Sequence, residues 1–317
     1  VDRTVDLNLF RGLYRRGISP VPQLALVQAL QLAGDENSNS ELLSEHIESD
    51  RRLRTCFLAS VNLPMFCGRN SIKSVRQGVG ELGRRKIVSL LWLTALSDFQ
   101  LFRNQRGDWI QLANGIQLEN RGRNRLWRHA LLTGVLAQQL VHAAGLDNAG
   151  DALTAGLAHD IGHYLLGYRL PQLGIASHED PVNDDCGHDE HDRLLEDDLS
   201  PAPELDHCQL GASLLDLWDA PRELVASARH HHNPEATEAA FRPLIAGVRL
   251  ADLLAEHLDL GRPNRPLRLE AAPVWRELAT LEPWNQVFNV HAVALKLLPE
   301  SLVTAEHLVR VLGGQHS

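Results

Sequence analysis

An aspartate sits in the middle of an apolar helical run, Val248-Arg249-Leu250-Ala251-Asp252-Leu253-Leu254, and it limits what this chain can fold into. A carboxylate buried without a cation or hydrogen-bond donors costs several kcal/mol, or becomes protonated. The fold must therefore supply Asp252 with a partner. One local candidate is Arg249, one turn back on the same helix. The other is a metal ion held jointly with groups from elsewhere in the chain.

Suitable groups recur at intervals upstream. His129 lies in Trp127-Arg128-His129-Ala130-Leu131-Leu132, on the apolar face that continues through Thr133 and Leu136. Next comes Gly156-Leu157-Ala158-His159-Asp160-Ile161-Gly162-His163, where small residues one turn either side of His159 allow a second helix to approach. Adjacent His and Asp on a helix diverge by about 100°, so one metal collects both only from the side between them. A neutral imidazole nitrogen beside an anionic oxygen suits a hard or borderline dication. His207 follows Leu205-Asp206 at a helix start, and His230-His231-His232 ends the helix that Pro221 opens. Each of these has a structural alternative, such as a hydrogen-bonded core histidine or a helix end favoured by the dipole. The ordered set His, His-Asp, His, His-His, Asp is what points to a metal.

The remaining pattern is helical. Leu24, Val27, Leu30 and Leu32 follow Pro20-Val21-Pro22 at near-helical spacing. Ser38 with Glu41 fits a capping box, after which Leu42, Leu43 and Ile47 turn inward. Leu53, Phe57, Leu58 and Val61 form another stripe. Val75, Val79 and Leu82 form one more, ended by Gly83, and Ile87 to Phe99 reads as buried. Longer helices are expected over Trp127–Ala144, Asp151–Leu166, His207–Trp218, Pro221–His231 and Pro243–His257. Turns are expected at Asn37–Ser40 and Gly68–Ser71. No segment alternates as a half-buried strand would. Aromatics at 5% with abundant Leu and Ala agree with helix packing. The expected fold is all-α. It has an N-terminal helical subdomain over residues 8–102, a linker over 103–124, a metal-binding helical domain over 125–258 and a C-terminal helical extension over 259–317.

A net charge of -9 argues against a general binder of nucleic acid duplexes or anionic membrane. Gly83-Arg84-Arg85-Lys86 reads as a solvated helix face. The acidic stretch His178, Glu179, Asp180, Asp184, Asp185, His188, Asp189 and His191 reads as a solvated loop. Cys56, Cys67, Cys186 and Cys208 form no CxxC pair, which fits a reducing, cytoplasmic compartment. No apolar run reaches the roughly 18 residues of a membrane span, and no signal-peptide pattern is visible in a sequence that begins at Val1.

The order of these elements resembles the HD superfamily of metal-dependent phosphohydrolases. The wording around them is more specifically similar to an HDOD domain, the HD-related output domain of bacterial signalling proteins. The motifs are Leu126-Trp127-Arg128-His129, Ala155 to Gly162, Asp206-His207-Cys208-Gln209-Leu210-Gly211-Ala212 and Ala228-Arg229-His230-His231-His232-Asn233-Pro234. The N-terminal half adds Ser49-Asp50-Arg51-Arg52-Leu53, Ala59-Ser60-Val61-Asn62 and Ser71 to Gln77 with Gly80-Glu81-Leu82-Gly83, so the likeness covers roughly Ser19 to Ala255.

The resemblance implies an HD-like helical bundle with His129, His159, Asp160 and Asp252 as the basic ligands of a divalent metal. His207, His231 and His232 match extra histidines that hold a second ion in related cyclic-dinucleotide phosphodiesterases, while His230 aligns with a non-ligand position. The one or two ions are drawn from Fe, Mn, Mg, Zn and Ni. Two departures stand out: His163 replaces a phosphate-holding lysine, and Asn233-Pro234-Glu235-Ala236 lacks the Gly-Tyr-Pro signature. The implied function is a signalling module that senses a ligand or engages a partner. The implied partner is a signalling protein or a nucleotide-like phosphorylated ligand, with a homodimer as a candidate assembly.

The alternative is a working phosphohydrolase acting on a nucleotide or cyclic dinucleotide. A bound metal would there lower the pKa of water and neutralise phosphoryl charge. Asp160 would orient the nucleophile, and His163 or His207 would protonate the leaving group.

Overall fold

The computed structural model describes residues 24–35, 37–63, 66, 71–100, 120–146, 149–164, 206–259 and 290–313. Residues 103–119 of the linker expected over 103–124, the acidic histidine-bearing loop, the Pro20–Pro22 helix opening and residues 68–70 of the turn expected at Gly68–Ser71 lie outside these residues, while residues 120–124 of that linker are helical. Among the described residues there are helices and turns and no strand.

The N-terminal half is built from α1 (Leu24–Gly34), α2 (Ser40–Ser49), α3 (Arg51–Val61), α4 (Val75–Leu82) and α5 (Arg84–Gln100). The stripe on α3 is as expected, with Leu53, Phe57 and Val61 buried and Leu58 packed at its edge. α4 ends at Gly83, whose φ of +72° is a conformation that a Cβ would strain. α1 differs from expectation. It buries Leu26, Ala29 and Ala33, while Leu24 is 71% exposed. The reason is packing: α1 lies on α5 and α2, and the small residues Ala29 and Ala33 let it approach. On α2, Leu43 and Ile47 turn inward as expected but Leu42 is exposed. The cap of α2 is Asn39 rather than Ser38, with its side-chain oxygen accepting the Glu41 N–H at 2.9 Å.

The basic run after Gly83 is engaged rather than simply solvated. The Arg84 guanidinium donates to the carbonyls of Leu32 and Ala33 in the last turn of α1 and to those of Asp35 and Ser38 in the turn that follows. Arg85 pairs with Asp151 at 2.6 Å, and Asp151 belongs to the second half.

That half comprises α6 (Asn120–Ala143), α7 (Ala149–Ala158), α8 (His207–Leu217), α9 (Arg222–His230), a 3-10 turn (Pro234–Ala236) and α10 (Arg242–Asp259). α6 begins at Asn120, seven residues before the expected start at Trp127. It is the central strut, with α7, α10 and the C-terminal helix α11 (Val290–Gly313) packed around it. α11 also touches α3, and its Ser301 hydroxyl hydrogen-bonds Gln139 of α6. α5 packs against α7. One continuous apolar core therefore runs from Leu26 of α1 to Leu308 of α11. No described helix is long and apolar enough to cross a membrane.

Candidate metal centre

α7 does not run on to Leu166 as the sequence pattern predicts. It ends at Ala158, residues 159–160 form a turn, and helix resumes over 161–164. At the break the His159 ring turns back on its own helix, with Nδ1 2.6 Å from the Gly156 carbonyl oxygen. The break also resolves the 100° divergence of neighbouring helical side chains, because His159 and Asp160 now share one pocket.

A carbonyl oxygen only accepts hydrogen bonds, so His159 Nδ1 carries a proton and Nε2 is the free nitrogen. His231, just past α9, repeats the device with Nδ1 3.1 Å from the Ser227 carbonyl oxygen. Both free nitrogens aim at Asp160. His159 Nε2 is 3.2 Å from its Oδ2, and His231 Nε2 is 3.4 Å from its Oδ1. Around Oδ2 the group is completed by His129 Nε2 at 3.8 Å. Asp252 Oδ1 closes this side, 3.1 Å from His129 Nε2 and 3.4 Å from His159 Nε2. Around Oδ1 lie His207 Nε2 at 3.7 Å and His163 Nε2 at 3.8 Å. His232 Nε2 stands 3.2 Å from His207 Nε2. All eight residues singled out in the sequence are thus brought together, with Asp160 between two sub-clusters.

The neighbours of Asp252 include Arg249, the local candidate raised by the sequence, and the histidines offered there as co-ligands of a metal. Its Oδ2 accepts from Arg249 at 2.7 Å, while Oδ1 faces the histidines. Ser227 was not foreseen. Its hydroxyl donates to the Ala155 carbonyl at 2.8 Å, tying α9 to α7, and its own carbonyl orients His231. Cys208 and Glu256 were also missed. Cys208 follows His207 directly, and Glu256 lies one turn after Asp252, so both were within reach of spacing arguments.

Burial disfavours charge throughout. At Asp160 it is outweighed by His159 and His163, and at Asp252 by the hydrogen bond from His129 and the charge of His159; both carboxyls are held well below the usual range. Burial likewise opposes the His159 imidazolium, yet Asp160 and Asp252 raise its pKa well above the ordinary value. His129 is raised in the same way, chiefly by Asp252. Burial lowers His231, and burial with the adjacent His231 brings His232 to about 3. Glu256 is pushed up to about 7 by burial and by Asp252.

The group fits a divalent cation. Bonds of about 2.0–2.2 Å to nitrogen and oxygen place neighbouring ligand atoms roughly 3.3–3.6 Å apart in a tetrahedron. His159 Nε2 is fully buried and makes no hydrogen bond, although two carboxylate oxygens stand beside it. A metal would satisfy that lone pair and the facing oxygens together. The backbone carbonyls on Nδ1 are the outer-shell partners that fix a ligand histidine.

Two glycine contacts bring the bearing helices close enough. A Cβ on Gly156 would lie 2.7 Å from Gly134 Cα, so α6 and α7 cross backbone to backbone near His129 and His159. A Cβ on Gly162 would lie 1.9 Å from the His207 carbonyl oxygen, so the 161–164 turn abuts the start of α8.

Known proteins share this fold. The HDOD domain model matches residues 19–234. An HDOD domain protein of unknown function from Geobacter sulfurreducens superposes with a TM-score of 0.59 at 20% identity, covering 98% of this chain and 99% of that one. A Shewanella amazonensis SB2B protein named "Putative metal-dependent phosphohydrolase" gives 0.58 at 14% identity, covering 98% of both chains. These likenesses show the shared helical fold. A Treponema pallidum (strain Nichols) protein of uncharacterized function is 25% identical over 215 residues. That match takes in 67% of this chain but only 37% of the relative's length. With two-thirds of its length matching one family model and its fold shared with that family's solved members, the chain belongs to the HDOD family.

Proposed function

We propose that the chain is a signalling HDOD module whose helical bundle holds one or two divalent ions and relays the state of that centre to a partner. The observation that carries this reading is the placement of Asp160. Its two oxygens face the Nε2 atoms of two histidines, each ring being fixed by an Nδ1 that donates to a backbone carbonyl. His129, His159, Asp160 and Asp252 would hold the first ion, and Asp160, His207, His231 and His232 the second. A bound dication would supply Lewis acidity and neutralise the two carboxylates.

Two features favour relay over turnover. His129, His159, Asp160, His207, His231 and Asp252 are all buried, as in closed sites that stabilise a fold. α7 also ends at the His159-Asp160 pair while its opposite end docks on α5, through Arg85–Asp151 and the close approach of Gly150 to Ser89. A change at the centre that moved α7 would therefore reach the N-terminal half. The partner is a signalling protein or a nucleotide-like phosphorylated ligand.

The alternative, a metal-dependent phosphohydrolase, is favoured by His163. It stacks on His207 with ring centroids 4.1 Å apart and faces Asp160, where it could serve a leaving group.

Metal analysis of the purified chain, thermal melts with and without chelator, and a phosphodiester and nucleotide panel with Mn²⁺ or Fe²⁺ test the reading. Bound metal, a melting temperature lowered by chelation and no turnover are expected. Rapid hydrolysis abolished by Asp160→Ala would install the hydrolase instead. A metal-free protein indifferent to chelator would overturn both.

A further inference from the structure

The second position contains a sulfur ligand that the histidine pattern does not include. Cys208 is buried, at 6% exposure, and is the second residue of α8. Its backbone N–H is fixed by the Asp206 carboxylate at 2.8 Å. Its Sγ lies 3.3 Å from His207 Nε2, the same atom that stands 3.2 Å from His232 Nε2 and 3.5 Å from His231 Nε2. All four candidate ligand atoms fall within 4.8 Å of one another.

We infer that Cys208 is the fourth ligand of a His3Cys site made by His207, Cys208, His231 and His232, which selects a borderline-soft dication such as Zn²⁺ over Mg²⁺ or Ca²⁺. This rests on the two-position reading above and puts Cys208 in place of Asp160 as the fourth ligand of its second ion. Bonds of about 2.0–2.1 Å to nitrogen and about 2.3 Å to sulfur set tetrahedral edges of roughly 3.3–3.6 Å. The three distances that meet at His207 Nε2 are of that size. A thiol-to-imidazole hydrogen bond would explain only one of them. A single ring nitrogen offers one lone pair or one proton, and two further imidazole nitrogens crowd the same point. A central ion accounts for all three contacts at once.

Position on the helix assists. The start of α8 favours a thiolate through the helix dipole. On binding, the Cys208 S–H proton leaves to solvent and the sulfur electron pair is donated to the ion, with no change of oxidation state. Thiolate with imidazole suits Zn²⁺ and Co²⁺, whereas Mg²⁺ and Ca²⁺ prefer all-oxygen shells. Asp160 Oδ1, 3.4 Å from His231 Nε2, then stands outside this four-ligand shell, between it and the first position.

The test is a Co²⁺ titration of the metal-free full chain, read as a near-ultraviolet sulfur-to-cobalt charge-transfer band. The wild type should show the band. Cys208→Ser should still take up cobalt at the first position, lose the band, and bind Zn²⁺ at the second position at least roughly 10-fold more weakly. Zinc X-ray absorption on the wild type needs no variant, and should show one sulfur at about 2.3 Å. Cobalt bound without the band, a band that persists in Cys208→Ser, or a zinc shell without sulfur would each overturn the His3Cys site and leave the general metal reading standing. No uptake of cobalt by the wild type would overturn both.

Discussion

Gly162→Ala should destabilise this protein and empty its second metal position, against the usual direction of a glycine-to-alanine change in a helix. Propensity alone would give a gain of about 1 kcal/mol. The structure reverses the sign. The new methyl carbon would stand 1.9 Å from the His207 carbonyl oxygen, 2.7 Å from the His207 carbonyl carbon and 2.9 Å from Gly211 N. All three are backbone atoms, so no side chain can swing away. Restoring an ordinary contact of about 3.3 Å requires the start of α8 to retreat by more than ~1 Å. Overpacking of this kind costs typically ~1–3 kcal/mol. Ligand distances in a metal site must hold within about 0.2 Å, so His207 would no longer share an ion with His231 and His232. Chemical denaturation and metal stoichiometry on the same samples measure both effects. Gly80→Ala is the control: it lies in α4 with nothing within 4 Å of the new atom, and should be neutral or stabilising. A Gly162→Ala protein as stable as the wild type, with its full metal content, would refute the close-approach argument.

Three further outcomes are expected. Arg249→Met leaves one oxygen of buried Asp252 without its 2.7 Å partner, and should weaken metal binding by roughly 10–100-fold, measured by competition with a chelating dye. Ser227→Ala removes a buried 2.8 Å hydrogen bond to the Ala155 carbonyl and should cost about 1–3 kcal/mol in denaturant unfolding, with His231 still oriented by the Ser227 carbonyl and the metal retained. The third concerns pH. His159 has a raised pKa in the metal-free protein, so its ion pairing stabilises the fold fully below its unfolded pKa of about 6.5 and is lost as pH rises through the folded value. Asp160 and Asp252 are depressed; their contribution is complete above the unfolded value of about 3.9 and disappears as pH falls through the folded one. A metal must displace the His159 proton, so affinity should rise with pH across neutrality and calorimetry should detect proton release. Affinity flat between pH 6 and 8 would contradict this account.

Much of the centre was legible because its chemistry forces unusual placements. An aspartate within Val248–Leu254 and histidines on apolar faces have to be explained by something buried, and few explanations exist. The stripes on α3 and α4 were legible for a simpler reason: a strong 3.6-residue period leaves one face to bury. α1 was not. Its leucines repeat at helical spacing, but the face turned inward is chosen by the partner, and close packing on α5 selected Ala29 and Ala33. The cap of α2 moved from Ser38 to Asn39 because either residue satisfies the pattern and only backbone geometry decides between them.

The sequence by itself determined that the chain is helical, that it carries an HDOD pattern, and which imidazoles and carboxylates had to meet. Composition, period and ordered motifs are one-dimensional quantities, so they can be read along the chain. Only the tertiary structure decided how those groups face one another. It broke the helix at His159-Asp160, set the Nδ1 protons of His159 and His231 against the carbonyls of Gly156 and Ser227, turned the two Asp160 oxygens to opposite sub-clusters, and brought Cys208 to His207, His231 and His232. Such choices depend on distances of a few tenths of an ångström between segments up to 123 residues apart, as with His129 and Asp252, and no local rule along the chain encodes them.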